Sequence, residues 1–210
     1  MKDIKEEIEK IKEFRRQFYN SHANDYENTQ HADNDEDFLQ EFKGFKKLVR
    51  VKPGQFVLDI ATGTGTYLIQ MARSGALCYG IDQSPKILEQ LKVNFMKENL
   101  ESNLKDIHIG VADKLPHPDA FFNWVTCIGM FEYYPLEYVK IVLSEAIRVL
   151  KPEGNCFFDI ADPYKKYAQE RDWIFSYDLD KFRRMIETLN FKILTQNKAG
   201  YMLQYLLSMK

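Results

Sequence analysis

Residues 57–68 read VLDIATGTGTYL, an apolar run that ends in Asp59 and opens into a loop with Gly63 and Gly65 spaced as G-x-G. Loops of this kind usually cradle phosphate, because glycine lets the backbone come close to a ligand. A carboxylate at the mouth of the loop opposes that use. Coulomb repulsion between two like charges ~4 Å apart costs about 1 to 4 kcal/mol, depending on screening. The dinucleotide fingerprint G-x-G-x-x-G also breaks at its third glycine, where Leu68 stands. The loop therefore suits a ligand that is cationic and carries no phosphate.

Two more acids stand in equivalent places. The segment YGIDQSP ends an apolar run in Asp82, and VADKLPHPDAFF places Asp113 after Ala112 at the end of another. A carboxylate accepts hydrogen bonds from both hydroxyls of a ribose, which suits Asp82, and Asp113 suits the amino group of an adenine. Taken singly, each acid reads as a solvated loop residue or a helix cap. Three acids at the ends of three successive strands are an ordered set. A ligand with an adenosine, an ammonium and a sulfonium but no phosphate fits that set, and S-adenosylmethionine is such a ligand.

These residues are positioned by alternating strands and helices. Strands are predicted at 55–60, 77–81, 107–111, 124–128, 155–160, 191–195 and 201–207. Helices fall between them: 66–74 closed by Gly75, one capped by Ser84 with Pro85 at its first position, 136–150 ended by the turn KPEG, and one from Asp178 to Leu189 stopped by Asn190. Strands alternating with helices predict an α/β fold with a mostly parallel sheet, and ligands bind beyond the carboxyl ends of such strands. The last two strands are separated by too few residues for a parallel crossover, so they run antiparallel. Ahead of this unit, Ile4, Ile8, Ile11, Phe14 and Phe18 recur at helical spacing. A polar stretch follows, and Asn34 is positioned to cap a second helix carrying Phe38, Phe42, Phe45 and Val49. We divide the chain into an N-terminal helical cap or lid, 1–50, and one compact α/β domain, 51–210.

Composition narrows the function classes. The chain has 210 residues, 45% hydrophobic and 29% charged, as in an ordinary globular domain. A formal net charge of −2 gives no electrostatic footprint for nucleic acid. No apolar run approaches the ~20 residues of a membrane span. The opening MKDIKEEIEKIKEF is charged and lacks the apolar core of a signal peptide. Cys78, Cys127 and Cys156 each sit in a strand-like run without a Cys-x-x-Cys pair, so neither a disulfide framework nor a metal site is expected. A reduced, cytoplasmic setting and a monomer or homodimer are expected, with no nucleic-acid or membrane partner.

The ordered motifs resemble those of class I S-adenosylmethionine-dependent methyltransferases, and most of all the small-molecule group that includes ubiquinone and menaquinone biosynthesis. The resemblance runs from about Phe18 to the C-terminus, through VLDIATGTGTYL, GALCYGIDQSPKIL, VADKLPHPDAFFNWVTC, EAIRVLKPEGNCFFDI and the N-terminal FYNSHANDYEN. It implies a Rossmann-like seven-stranded sheet of order 3-2-1-4-5-7-6 with strand 7 antiparallel and helices on both faces. It also implies that Asp59, Ala61, Gly63 and Gly65 hold the methionine part of the cofactor. Asp82, with Gln83 beside it, would take the ribose, and Ala112 and Asp113 the adenine. Cys127 and Ile128 would lie under the methionine tail, with Tyr19 and Tyr26 near its carboxylate. The chain departs from the family at Ala61, which replaces the first loop glycine, at Asn123, where aspartate is usual, and at Glu153 in the KPEG turn.

Methyl transfer requires alignment above all, and a base only when the acceptor must lose a proton. The candidates for chemistry or acceptor contact are His22, Tyr133 and Trp173. His31 also flanks the tyrosine motif, while His108 and His117 read as structural and solvated. Glu132 and Tyr134 fall on the ligand side of the fourth strand, and Tyr164, Tyr167 and Tyr177 crowd the segment after the fifth. Three readings compete: a methyltransferase acting on a small-molecule acceptor, a non-catalytic S-adenosylmethionine-binding module, and a nucleotide-dependent oxidoreductase, which Leu68 and Asp59 disfavour.

Overall fold

The computed structural model describes residues 4–23, 25–26 and 36–210. The expected cap at Asn34, His31 and most of the polar stretch before the second helix lie outside the described residues. Two helices come first, α1 (Ile4–His22) and α2 (Glu36–Leu48). The alternating unit follows as β1 (Phe56–Ile60), α3 (Thr66–Ala72), β2 (Leu77–Asp82), α4 (Pro85–Lys97), β3 (Leu104–Ile109) and β4 (Phe122–Cys127). A 3-10 turn (Phe131–Tyr133) leads to α5 (Leu136–Val149), β5 (Leu150–Ala161) and the short α6 (Lys166–Gln169). The chain then runs through α7 (Leu179–Thr188), β6 (Phe191–Ala199) and β7 (Met202–Met209). The sheet has seven strands in the order β3-β2-β1-β4-β5-β7-β6, and β7 is antiparallel to both of its neighbours.

Period-two alternation divides the strand residues between two cores. Leu58, Ile60, Val125, Cys156, Phe158 and Ile160 pack with α5 and α7 on one face, and Ile8 of α1 joins them. Val57, Cys78, Trp124 and Phe157 pack with α2, α3 and α4 on the other. β1, at the centre, has Val57, Leu58 and Ile60 at 0% exposure. Such a strand has no water to satisfy its backbone, so the parallel ladders to β2 and β4 fix its register, with Asp59 level with Gly80 and Thr126.

Several boundaries differ from the sequence expectation. β3 begins at Leu104 rather than 107, because an edge strand needs only one buried face and tolerates Lys105 and Asp106. Gly110 and Val111, expected in that strand, leave it and line the cavity described below. β5 begins at Leu150, and KPEG is a bulge within it, since Phe122 pairs Leu150 while Trp124 already pairs Asn155. Asn123, the departure from the family's aspartate, accepts the Phe56 N–H at 3.0 Å and the Lys151 ammonium at 3.2 Å. The amide oxygen thus supplies the acceptor that a carboxylate would.

The β1–α3 loop turns in left-handed backbone. Gly65 has φ 89, and a Cβ there would stand 3.0 Å from Leu91 Cγ in α4. Gly65→Ala therefore adds a left-handed cost of ~1–2 kcal/mol and a crowded contact. We expect a loss of about 1–3 kcal/mol in urea unfolding, seen as a lower midpoint with unchanged slope.

Candidate active site

A cavity of about 290 Å³ opens at the carboxyl ends of β1, β2 and β4. That size is near the lower end of small-molecule sites, ~300–1,000 Å³. Its floor is the strand-end set. Asp59 is 3% exposed and accepts the Thr126 hydroxyl at 2.6 Å. Asp82 accepts the Ser84 N–H at 2.9 Å and the Gly63 N–H at 3.1 Å. Ser84 in turn caps α4 by accepting the Ile87 N–H at 3.3 Å, so one acid ties the glycine loop to a helix start. Ala61, with φ 55, occupies the left-handed position where the family carries glycine.

The roof comes from elements on both sides of the sheet order. α1 contributes Arg15 and Tyr19, and Tyr26 follows it. The Lys12 ammonium bonds Asp113 Oδ2 at 2.7 Å, and Ser84 Oγ donates to Asn20 Oδ1 at 2.8 Å, which pins α1 across the ends of β2 and β3. α2 contributes Glu41, whose Oε1 accepts the Tyr201 N–H at 3.1 Å in the β6–β7 turn. The turn after β4 contributes Glu132 and Tyr133. That turn is held by the Phe175 N–H donating to Glu132 O at 2.7 Å, and by Tyr177 Oη, 2.5 Å from Phe131 O and 2.6 Å from Tyr134 O.

The expected cofactor residues divide in two. Tyr19, Tyr26, Asp59, Ala61, Gly63, Asp82, Gln83, Ala112 and Ile128 lie on the cavity wall. Gly65, Asp113 and Cys127 do not: Gly65 packs on Leu91, Asp113 pairs with Lys12, and Cys127 is buried in the core. Of the chemical candidates, Tyr133 is on the wall. His22 is exposed at the end of α1, with Nδ1 2.8 Å from Phe18 O. Trp173 is 57% exposed and lines a separate outer groove with Phe14, which shares Arg15 and Tyr133 with the inner cavity.

Sequence reading did not single out Arg15, Glu41, Tyr67 or Asp159, all on the wall. Asp159 was accessible by the logic that found Asp59, since it stands near the carboxyl end of a buried strand. Glu41 carries no such signal, as it reads like any acid on an amphipathic helix.

The wall is strongly acidic. Burial pushes Asp59 up to about 7, against the Thr126 hydrogen bond, and the charge of Asp82 adds to the rise. Burial raises Asp82 as well, against three backbone N–H donors. Burial, together with Asp159, lifts Glu41 to about 9. Glu132 and Asp159 are both held above the usual carboxylate range by burial, and the charge of Asp159 adds to the rise at Glu132. Asp159 Oδ1 accepts the Gly129 N–H at 2.8 Å, whereas Glu132 Oε2 has no hydrogen-bond partner among the described residues. Arg15 is the cation on this wall among the described residues, and it stacks 3.5 Å over the Tyr133 ring. Those residues contain no cluster of His, Cys, Asp or Glu suited to a metal ion and no helix long and apolar enough to cross a membrane.

Residues 57–154 match the family profile described as a methyltransferase domain. An uncharacterized methyltransferase of Synechocystis sp. is 32% identical over 139 residues, 66% of this chain and 59% of that protein. A demethylmenaquinone methyltransferase of Lactobacillus johnsonii is 38% identical over 117 residues, 54% of this chain and 46% of that protein. The chain thus spans about half the length of the curated relatives it matches. Among solved structures, magnesium protoporphyrin IX methyltransferase from Synechocystis with bound S-adenosylmethionine superposes with TM-score 0.76 at 17% identity, covering 95% of this chain and 97% of that one. Residues 57–154 thus match a methyltransferase domain, the strand order is that of the class I methyltransferase fold, and the chain resembles the ubiquinone and menaquinone biosynthesis group.

Proposed function

We propose that the protein transfers a methyl group from S-adenosylmethionine to a small-molecule acceptor. One observation carries this reading over a phosphate-bearing cofactor. The two glycine N–H groups of the loop are already committed, Gly63 to Asp82 and Gly65 to Thr62 O at 3.0 Å. A pyrophosphate would meet carboxylates instead of those donors, whereas the acids favour a cation. In this reading Asp82 takes the ribose hydroxyls, and Asp59 faces the methionine end from beneath the loop. Bound there, the cofactor supplies a methyl carbon already activated by a sulfonium. The chain's own part is to hold the acceptor in line with that carbon and to exclude water. Residues 1–50 act as the cap that does so, since α1 and α2 bring Arg15, Tyr19 and Glu41 over the strand ends. The names of the relatives support a small-molecule acceptor, and the net charge of −2 fits one better than nucleic acid. We read the protein as cytoplasmic, working as a monomer or homodimer.

Titration calorimetry should give heat for S-adenosylmethionine and S-adenosylhomocysteine and none for NADH; the reverse pattern would sink the reading. Asp82→Asn keeps the side chain's shape and removes its charge. It should weaken S-adenosylhomocysteine binding roughly ten- to a hundredfold, the worth of a hydrogen bond to a charged group. Unchanged affinity in the folded variant removes Asp82 from the site.

The raised carboxyls also set a pH dependence. Each binds a proton in the folded protein that it has lost in the unfolded chain, between 3.8 and about 7 for Asp59 and between 4.5 and about 9 for Glu41. The unfolded state binds fewer protons throughout those windows, so stability falls as pH rises. The Tm of the ligand-free protein should drop between about pH 5 and about pH 8.5, by roughly 2–4 °C per kcal/mol lost. A cationic ligand favours the ionised acids, so cofactor affinity should rise over the same range. A flat or rising Tm contradicts this account.

A further inference from the structure

The cofactor leaves much of the cavity's charge unanswered. Five carboxylates, Glu41, Asp59, Asp82, Glu132 and Asp159, face one guanidinium on the described wall. S-adenosylmethionine brings an ammonium, a sulfonium and a carboxylate, hence one net positive charge. Asp59 and Asp82 stand under and beside the glycine loop. Glu132 lies in the turn after β4, Asp159 lies in β5, and Glu41 comes from α2.

Glu132 gives the clearest indication of what they meet. It is 3% exposed, and its Oε2 is buried with no hydrogen-bond partner among the described residues. A buried acceptor without a donor is costly, and a carboxylate more than most. Such an oxygen on a cavity wall is paired when a ligand brings the donor. Tyr19, Tyr67, Tyr133 and Tyr167 line the same cavity. Carboxylates set among aromatic faces recognise organic cations, through charge on one side and the ring quadrupole on the other. A phenolate or thiolate, being an anion, would be repelled by these acids in their ionised form.

We infer that the acceptor is a small organic amine, bound as its ammonium by Glu132 and Asp159 within a ring of tyrosines. This assignment rests on the methyltransferase reading and narrows it. Before transfer the ammonium gives one proton to Glu132 Oε2, which frees the nitrogen lone pair. The nitrogen then attacks the activated methyl carbon. A C–N bond forms, and the C–S bond breaks with its electron pair remaining on sulfur. The products are S-adenosylhomocysteine and an N-methylammonium, and the proton on Glu132 passes to water on release. Burial holds the Glu132 carboxyl above its usual range, which suits proton exchange with an amine near neutral pH.

The test is a matched pair of probes. Wild-type protein saturated with S-adenosylhomocysteine is titrated with 2-phenylethylamine and with 2-phenylethanol, which differ in charge and little in shape. The amine should bind about tenfold tighter or more, as a desolvated charge and cation–π contact require. In parallel, S-adenosylhomocysteine release and product mass are followed with 2-phenylethylamine and 4-ethylphenol as acceptors. Glu132→Gln should erase the amine preference while S-adenosylhomocysteine affinity stays within about threefold. Equal binding of the probes, neither binding, or methylation of the phenol alone overturns the amine assignment and leaves the methyltransferase reading standing. A variant that keeps the preference, or that loses S-adenosylhomocysteine instead, also overturns it. Failure of wild type to bind S-adenosylhomocysteine overturns both. The wild-type comparison decides the matter even where the variant does not fold.

Discussion

Carboxylates buried at the carboxyl edge of the sheet, with too few cations to match them, are the constraint around which the site is built. Desolvating an ionised acid costs several kcal/mol unless it is paired or hydrogen-bonded. Four of these acids, Asp59, Asp82, Glu132 and Asp159, are 9% exposed or less. The chain answers part of the cost from its own donors. Thr126 serves Asp59, Gly63 and Ser84 serve Asp82, and Gly129 serves Asp159. Glu132 Oε2 receives no donor from the described residues. The remainder is met by binding protons, which is why the acids are held above their ordinary range, or by binding a cation. Proton and ligand thus compete for one set of groups.

Holding such acids in place requires rigid neighbours, and the structure supplies them from distant parts of the chain. Asp59 and Asp159 sit in buried strands, where ladder register leaves no freedom. Glu132 lies in a short turn, which alone would be mobile, but Tyr177 and Phe175 fasten its backbone from more than forty residues downstream. Glu41 is fixed by the end of the sheet: Tyr201 in the β6–β7 turn bonds its carboxylate, and Gln204 of β7 bonds its carbonyl at 2.7 Å. The aromatic segment after β5 therefore works through Tyr167 on the wall and through Tyr177 as a brace.

The fold was legible because periodicity and topology are local or nearly so. Alternating strands and helices gave the parallel sheet, and a short last connection gave its antiparallel strand. The misjudged boundaries, β3 and β5, lie where an edge strand tolerates polar residues and where a bulge hides inside a strand. Within the site, residues directly after strands were readable, since chain direction alone carries them to the ligand edge. Asp113 shows the limit of that logic: it stands at the right strand end, yet a helix starting at Ile4 brings Lys12 to it. No spacing in the sequence announces a contact across 101 residues. Arg15 and Glu41 are hidden for the same reason, being surface-like residues that become a roof only after α1 and α2 cross the sheet.

The roof has a physical consequence beyond shelter. With water over the strand ends, the acids would be solvated, their charges screened, and their preference for a cation reduced to the ~1 kcal/mol scale of exposed pairs. Covered by α1 and α2, the same acids lie in a medium where each charge is felt more strongly, which raises both their proton affinity and their selectivity for cations. Arg15 fits this arrangement. It belongs to the roof rather than the floor, and it rests on the Tyr133 ring between the inner cavity and the outer groove. A guanidinium held by a ring face keeps its charge near Glu132 without forming an ion pair that would close the carboxylate to a ligand. Covering the acids and strengthening their preference for a cation are therefore effects of the same two helices.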